Sequence, residues 1–195
     1  MIELSIEALT NMEESPLFLR FVSLLIDDTN NMMGHGMKSL QEIRTLEIKQ
    51  QQADGLTEDE EKELERLYRA GRSYVGETLN LFGYMSEGCY KLMCDETLVT
   101  RIAEMANYFL DLLVGKKRKT LKVKDMKKLQ FYPTELVVSI ANLYINLGNE
   151  TEWRGAVVSD ERSFSMDMVK VAEGILNKSA IPEDQITRTR NNYSS

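Results

Sequence analysis

The stretch "DETLVTRIAEMANYFLDLLVG", residues 95–115, decides the fold class of this chain. Its large apolar side chains recur every three or four residues, and this spacing places them on one face of an α-helix. The members of the stripe are Leu98, Ile102, Met105, Phe109 and Leu112. Asp95 is a typical N-cap residue and Gly115 a typical residue just past a helix end, so the stretch predicts a helix between them.

A second helical pattern lies near the start of the chain. Ser15 and Pro16 combine an N-cap residue with a first-turn proline, which predicts that a helix begins there. Its apolar positions follow a helical period and are Leu17, Phe21, Leu24, Leu25 and Met32. The "GHG" sequence at Gly34–Gly36 is expected to weaken this helix before "MKSLQEIRTLEIKQQQ" resumes the pattern.

Capping and stop signals indicate the remaining helices. The "TEDE" sequence at residues 57–60 is a capping box, in which the Thr hydroxyl and the Glu carboxylate accept hydrogen bonds from each other's free backbone amides. It predicts a long helix that ends near Gly88. Pro133 begins a further helix that Gly148 ends, and two shorter helices are predicted at about 151–158 and 165–177.

These patterns predict an all-α fold of antiparallel helices, since no stretch shows the alternation or the turn signals of paired strands. The chain divides into an N-terminal extension at 1–14, a helical core at 15–178 and a frayed tail at 179–195. The large side chains on the apolar stripes are expected to be buried, and they are Phe21, Leu25, Leu79, Phe82, Ile102, Phe109 and Leu143.

The composition is that of a soluble globular domain. The 195 residues are 43% hydrophobic and 28% charged, with a net charge of −7. No run of about eighteen apolar residues occurs, and the start "MIELSIEALTNMEES" lacks the features of a signal peptide. Cys89 and Cys94 are expected to be reduced, buried thiols, so a cytoplasmic or nuclear location is predicted.

Few residues could carry catalysis or bind a cofactor or metal. His35 is the only histidine, and its position between two glycines favours a surface or helix-kink residue. The "DDTNN" sequence at 27–31 lacks the spacing of a calcium loop and favours a polar helix face or pairing with a neighbouring helix. Glycine-rich phosphate loops are absent as well, so no catalytic, cofactor-binding or metal-binding residues are expected.

Positive charge is concentrated just after the helix predicted to end at Gly115. Residues 115–129, "GKKRKTLKVKDMKKL", hold eight basic residues and one acidic residue, a net +7, so the rest of the chain carries −14. Aromatic residues come only after these charges, and no lipidation signal or membrane helix accompanies them, so a solvated connector is favoured over a protein-contact surface, and both over nucleic-acid binding. The candidate contact residues are Lys116, Lys117, Arg118 and Lys119.

Three stretches form a recognisable series when they are read in order: "FLRFVSLLIDDT" at 18–29, "LKVKDMKKLQFYPTELV" at 121–137 and "VVSDERSFSMDMV" at 157–169. Together they resemble the helical core of ubiquitin chain-elongation factors, the U-box ligases of the ubiquitin-fusion degradation type. The matching positions are Phe18, Leu19, Arg20, Phe21, Asp27, Asp28 and Thr29, then Leu121, Lys122, Val123, Asp125, Phe131, Pro133 and Leu136, and finally Asp160, Glu161, Arg162, Ser163, Phe164 and Ser165.

The resemblance implies a stack of armadillo-like helical repeats. Members of this family extend ubiquitin chains on substrates that already carry ubiquitin, and they work with a segregase ATPase and with proteasome shuttle proteins. Their conjugating enzyme is recruited by a C-terminal U-box, whose DPLM-type segment does not occur before Ser195. The resemblance therefore implies the C-terminal part of the core, acting as a scaffold that is not catalytic by itself, with residues 119–133 as a connector between two core helices.

Two alternatives to this scaffold stay open. The chain could be a stand-alone helical interaction module with no ubiquitin role, or a thiol-dependent hydrolase or transferase that uses Cys89 or Cys94 with His35. Arg162, in "DERSF", is expected to form an ion pair or to cap the carbonyls of a neighbouring helix, and a partner contact is the alternative role.

Overall fold

The computed structural model describes residues 17–52, 55–70 and 75–178, which form helices joined by short connections. The helices are α1 (Leu17–Gln50), α2 (Glu58–Ala70), α3 (Val75–Gly88), α4 (Tyr90–Met93), α5 (Val99–Val114), α6 (Pro133–Leu147), α7 (Thr151–Ser159) and α8 (Met166–Lys178), with a 3-10 turn at Lys116–Leu121. These ranges contain no strand, so the all-α class is confirmed. An armadillo-like arrangement of the helices stays a prediction.

Some predicted features lie outside the described residues. They are the N-terminal extension at 1–14, the cap at Ser15 and Pro16, and the tail at 179–195. The long helix predicted from the capping box is present as α2 and α3, and the residues between them, 71–74, are also outside the described ranges. None of the described helices is long and apolar enough to cross a membrane.

The centre of the fold is α5, which packs against α1, α6, α7, α8 and the 3-10 turn. Because neighbours surround it, α5 buries most of its residues rather than a single stripe. Beside it α3 packs on α6, and the buried Trp153 of α7 meets Tyr144 edge to face with 5.7 Å between ring centroids. Five predicted core residues are fully buried, and they are Leu79, Phe82, Ile102, Phe109 and Leu143.

The apolar stripe predicted for the first half of α1 is wrong, whereas its continuation through Leu40 and Ile43 is buried as predicted. Phe21 is 47% exposed and Leu25 only partly buried, while the residues that face the core are Val22, Ile26, Thr29, Met33, Met37, Leu40, Ile43 and Glu47. The first half of α1 carries apolar residues on two adjacent faces, so periodicity alone allows either face to be buried. The packing of α1 on its neighbours decides between them, and it holds the face with Val22 and Ile26 inward. The helix also continues without a break through Gly34–Gly36, where Met33 and Met37 are both buried.

The predicted helix ends are mostly confirmed. α6 begins at Pro133 and ends at Gly148, α5 ends at Gly115, and α7 and α8 match their predicted bounds within one residue. The capping box forms as expected, because Glu60 accepts from the Thr57 amide at 3.0 Å and its own amide donates to the Thr57 hydroxyl at 3.3 Å. Asp95 was wrongly predicted to cap α5. Its carboxylate accepts from the Thr97 amide at 2.9 Å, in a turn that precedes the first residue of α5.

Candidate functional site

A groove at the C-terminal end of α5 brings together residues from two of the predicted contact regions. It encloses about 810 Å³ and is lined by Lys116, Arg118 and Lys119 of the 3-10 turn and by Arg162 of the loop before α8. We call it the basic groove. The side chain of Lys117, the remaining candidate, is outside the described part of the chain. Sequence spacing alone did not indicate that Arg162 lies beside the basic turn.

The sharp turn after α5 sets the position of the basic residues. The Gly115 amide donates to the Asp111 carbonyl at 2.8 Å and closes the last turn of the helix. A Cβ atom on Gly115 would lie 2.3 Å from that carbonyl oxygen, so only glycine allows this close approach. The chain then enters the 3-10 turn, whose Lys116, Arg118 and Lys119 side chains are exposed. Positive charge at this position also favours the negative C-terminal end of α5.

Arg162 forms the ion pair that the sequence predicted for it. Its Nη2 donates to Glu104 of α5 at 3.1 Å, and its Nε lies 3.9 Å from the buried carboxylate of Asp160. The side chain is nevertheless 79% exposed. These contacts orient the guanidinium toward α5 and leave most of its surface open to solvent.

The charge of the surface differs between the two grooves that meet at Arg162. A second groove of about 460 Å³ adjoins on the α1 side, and Asp27, Glu104 and Asp111 are among the residues that line it. Asp111 and Arg162 line both grooves. Among the charged residues of the second groove carboxylates outnumber cations, and its Arg101 is paired with Asp27, whereas three further exposed cations line the basic groove.

The residues considered for nucleophilic chemistry have other environments. Cys94 is buried, and this burial, with smaller contributions from Glu150 and Glu152, raises the pKa of its thiol to about 11. A thiol of this kind is almost wholly protonated at neutral pH and is a poor nucleophile. Cys89 is half-buried, and His35 is exposed on α1. Within the described ranges, no group of three His, Cys, Asp or Glu side chains is placed to hold a metal ion.

Comparison with known proteins identifies the family. A family model described as the ubiquitin elongating factor core matches residues 3–191. The chain belongs to this ubiquitin elongating factor core family. It is 32% identical over 185 residues to "Ubiquitin conjugation factor E4 A" of Pongo abelii and 33% identical over 172 residues to "E4 ubiquitin-protein ligase UFD2" of Saccharomyces cerevisiae. It is 27% identical over 179 residues to "Probable ubiquitin conjugation factor E4" of Arabidopsis thaliana.

The match covers most of this chain and a small part of each relative. For the Pongo, Saccharomyces and Arabidopsis relatives it spans 90%, 83% and 85% of this chain, respectively. The same matches span 17%, 18% and 17% of the relatives. The resemblance to ubiquitin chain-elongation factors is therefore confirmed, and the chain corresponds to one segment of these longer proteins.

The first of the three family-like stretches joins α1 to α5 in this elongating factor core segment. Arg101 of α5 donates through Nη2 to the Asp27 carboxylate at 2.7 Å and through Nη1 to the Ser23 hydroxyl at 2.8 Å. Thr29 is buried, and its hydroxyl donates to the Leu25 carbonyl one turn earlier at 2.6 Å. The expectation that the "DDTNN" residues pair with a neighbouring helix is confirmed for Asp27.

The second family-like stretch is held by a buried carboxylate that sequence reasoning did not identify. Both oxygens of Glu47, on α1, accept from the Lys124 amide at 3.1 Å. The Tyr68 hydroxyl donates to the same carboxylate and accepts from the Asp125 amide at 3.4 Å. Burial, followed by the Glu47 hydrogen bond, raises the pKa of Tyr68 well above its usual range. One signal in the sequence was available, because Glu47 continues the Leu40–Ile43 spacing of the buried face.

The third family-like stretch is anchored to α5 by a buried amide. Nδ2 of Asn107 donates to the Val157 carbonyl at 3.0 Å and to the Asp160 carboxylate at 3.2 Å. The Tyr144 hydroxyl of α6 donates to the Asn107 amide oxygen. Asn107 is fully buried, so an apolar substitution there would leave these three groups, a carbonyl, a carboxylate and a hydroxyl, without their hydrogen-bond partner. This network fixes the loop that carries Arg162. The signal for Asn107 in the sequence was a polar residue within a helix that is otherwise mostly apolar.

Proposed function

We propose that this chain is a scaffold segment of a ubiquitin chain-elongation factor, which holds partner-binding surfaces in place and forms no covalent bonds itself. The observation that carries the proposal is that all three family-like stretches make hydrogen bonds between separate parts of the fold. Asp27 binds Arg101, the Lys124 amide binds Glu47, and Asp160 binds Asn107. Glu47 and Asn107 are buried, and buried polar networks make a fold rigid when they are fully satisfied.

The environments of the reactive side chains support the same assignment. An enzyme nucleophile is activated by a neighbouring base or a lowered pKa. Burial raises the pKa of the Cys94 thiol instead, which keeps it protonated. The candidate site residues are exposed cations around the basic groove. Exposed cations are better suited to attracting a charged partner than to catalysing the formation of a covalent bond.

The family supplies the setting of the proposed scaffold. Within a longer protein of this family, the segment would act in ubiquitin-dependent degradation in the cytoplasm or nucleus. Its proposed partners are a segregase ATPase, proteasome shuttle proteins and ubiquitylated substrates. The conjugating enzyme would bind the U-box of the longer protein rather than this segment, so chain elongation is assigned to the whole protein.

A reconstituted ubiquitylation reaction tests the non-catalytic part of the proposal. The chain is mixed with activating enzyme, conjugating enzyme, ATP, ubiquitin and a ubiquitylated substrate, and chain length is followed on gels. We expect no chain growth that depends on this chain. Growth that requires it would show that the segment itself carries transferase activity.

A chimera tests the scaffold part. The part of this chain that matches the Saccharomyces relative replaces the corresponding segment of that protein, and the chimera is expected to extend chains in the same reaction. Asn107→Ala in the chimera should reduce elongation, because the loop of Asp160 loses its anchor, whereas Tyr84→Ala, at an exposed position of α3, should not. A chimera that has the expected helical circular dichroism and cooperative melting but extends no chains would favour the alternative, a stand-alone interaction module.

A further inference from the structure

We propose that the basic groove binds an acidic segment of a partner protein, with one apolar side chain of that segment seated against α8. This inference adds a binding site to the proposed scaffold function. It rests on that function only for the pathway to which the partner belongs. The binding itself depends on the charges and the shape of the groove. Its occupant is identified by charge complementarity, since the groove presents four cations to solvent.

The charge of the groove is only partly compensated within the protein. Among the described residues, Lys116, Arg118 and Lys119 take part in no ion pair, and Arg162 is shared between Glu104 and Asp160. Asp111 and Asp167 are the acidic residues of the lining. Asp167 lies 3.8 Å from Lys170 and points largely into solvent. Three exposed cations therefore remain available for the carboxylates of a ligand.

An apolar strip lies beside these charges. Phe164 is partly buried against the core, and Val171, one turn and a half along α8, is 38% exposed. Both line the groove, together with the buried Met168 beneath them. Val171 is thus an exposed apolar side chain in the same groove as Asp167 and the cations. The combination suits a segment in which acidic residues flank a single apolar one, since a central apolar contact with a polar rim is the usual anatomy of a protein interface.

The observations favour a peptide over a nucleic acid. The rest of the chain outside residues 115–129 carries a net charge of −14, which repels a polyanion longer than the groove. Carboxylates that line the adjoining groove limit the extent of the basic surface. Single-stranded nucleic acids also need aromatic side chains on which bases can stack, and Phe164 is partly buried. A peptide can in addition donate its backbone N–H groups to Asp111 and Asp167.

Binding is measured by fluorescence anisotropy with the whole chain and a labelled peptide of Asp and Glu residues around one central Leu. Three companion probes are the same peptide with Ser for Leu, the same peptide with Asn and Gln for its acids, and a duplex DNA of equal charge. We expect the acidic peptide with Leu to bind most tightly. Its affinity should fall with added salt, since exposed charges are screened.

Two matched pairs of charge reversals locate the binding. Lys116→Glu with Lys119→Glu changes two lysines that line the groove, and Lys122→Glu with Lys127→Glu changes two exposed lysines of the same connector that do not. The first pair should weaken peptide binding about tenfold or more, and the second should change it much less. Val171→Ser should weaken binding of the Leu peptide and leave the Ser peptide unchanged.

Several outcomes would overturn the proposal. They are an absence of peptide binding, equal effects of the two lysine pairs, and tighter binding of the duplex DNA through Lys116 and Lys119, which would make the groove a nucleic-acid site. Melting curves of each variant distinguish misfolding from a loss of binding. The binding assay involves no ubiquitin transfer, so an absence of peptide binding would not contradict the scaffold proposal. Likewise, a chimera that extends no chains would not contradict a measured binding of the peptide.

Discussion

The lysine-rich segment after α5 has two parts, residues 116–119 and residues 121–131, that are similar in charge and different in environment. In the second part Leu121, Val123, Leu129 and Phe131 are buried, and Glu47 binds the backbone at Lys124. In the first part the described basic side chains are exposed around the basic groove. Regularly placed apolar residues and one carboxylate anchor the second part, so charge content alone does not distinguish a structural connector from a contact surface.

This contrast bears on the two interpretations of the basic stretch. Residues 121–131 fit the connector, as the chain runs here from the 3-10 turn to α6 along α1 and α2. Within the described residues, Lys116, Arg118 and Lys119 form no ion pair, and their side chains line the basic groove. The contact role of these residues and of Arg162 stays a prediction, and substitutions in each part can separate the two roles.

The largest expected effect comes from the helix on which both parts rest. Phe109 is fully buried in α5, so Phe109→Ala should lower the free energy of unfolding by about 3–5 kcal/mol, through lost apolar burial and the cavity that remains. Urea denaturation followed by circular dichroism measures it. Tyr108→Ala, at an exposed neighbouring position, is the matched control. An unchanged stability of the Phe109 variant would mean that α5 is not the centre of the fold.

A smaller effect is expected at the anchor of residues 121–131. Glu47→Ala removes the acceptor of the Lys124 amide and of the Tyr68 hydroxyl, and leaving such buried donors without a partner should cost about 2–4 kcal/mol. Glu42→Ala, an exposed carboxylate on the same helix, should have little effect. Equal denaturation midpoints for the two variants would contradict the anchoring role of Glu47.

The smallest effect is expected in residues 116–119. Lys116→Glu with Lys119→Glu should change the free energy of unfolding by about 0–1 kcal/mol for each residue, because both side chains are exposed. The same denaturation measurement checks this value. A loss as large as that of Glu47→Ala would show that the basic turn supports the fold, and the difference between the two parts would disappear.

Helix positions could be predicted from the sequence because their signals are local. Pro133, Gly148, Gly115 and the Thr57–Glu60 capping box each act within one turn of the chain. The apolar stripe of α5 predicted this helix in the same way, and its central position came only from the packing. The cap of α5 was misplaced by one turn, since Asp95 forms its hydrogen bonds with Thr97 in the turn before the helix.

The sequence allowed most residues of the candidate site to be proposed one by one, but it did not show that they lie together. Lys116, Arg118, Lys119 and Arg162 were all candidates, yet nothing in their spacing placed them around one groove. Glu47 and Asn107 were not candidates, because a buried polar residue looks like any other polar residue until its partner is known. Such partners lie far away in sequence, where periodicity carries no information.

The sequence by itself determined the all-α class, most helix ends and membership of the ubiquitin elongating factor core family. Only the tertiary structure decided that Val22 and Ile26 rather than Phe21 face the core, and that the loop of Arg162 meets the basic turn. The physical reason is that local hydrogen bonds and caps act between neighbours along the chain. Burial and ion pairing depend instead on which helices pack together, and that choice belongs to the fold as a whole.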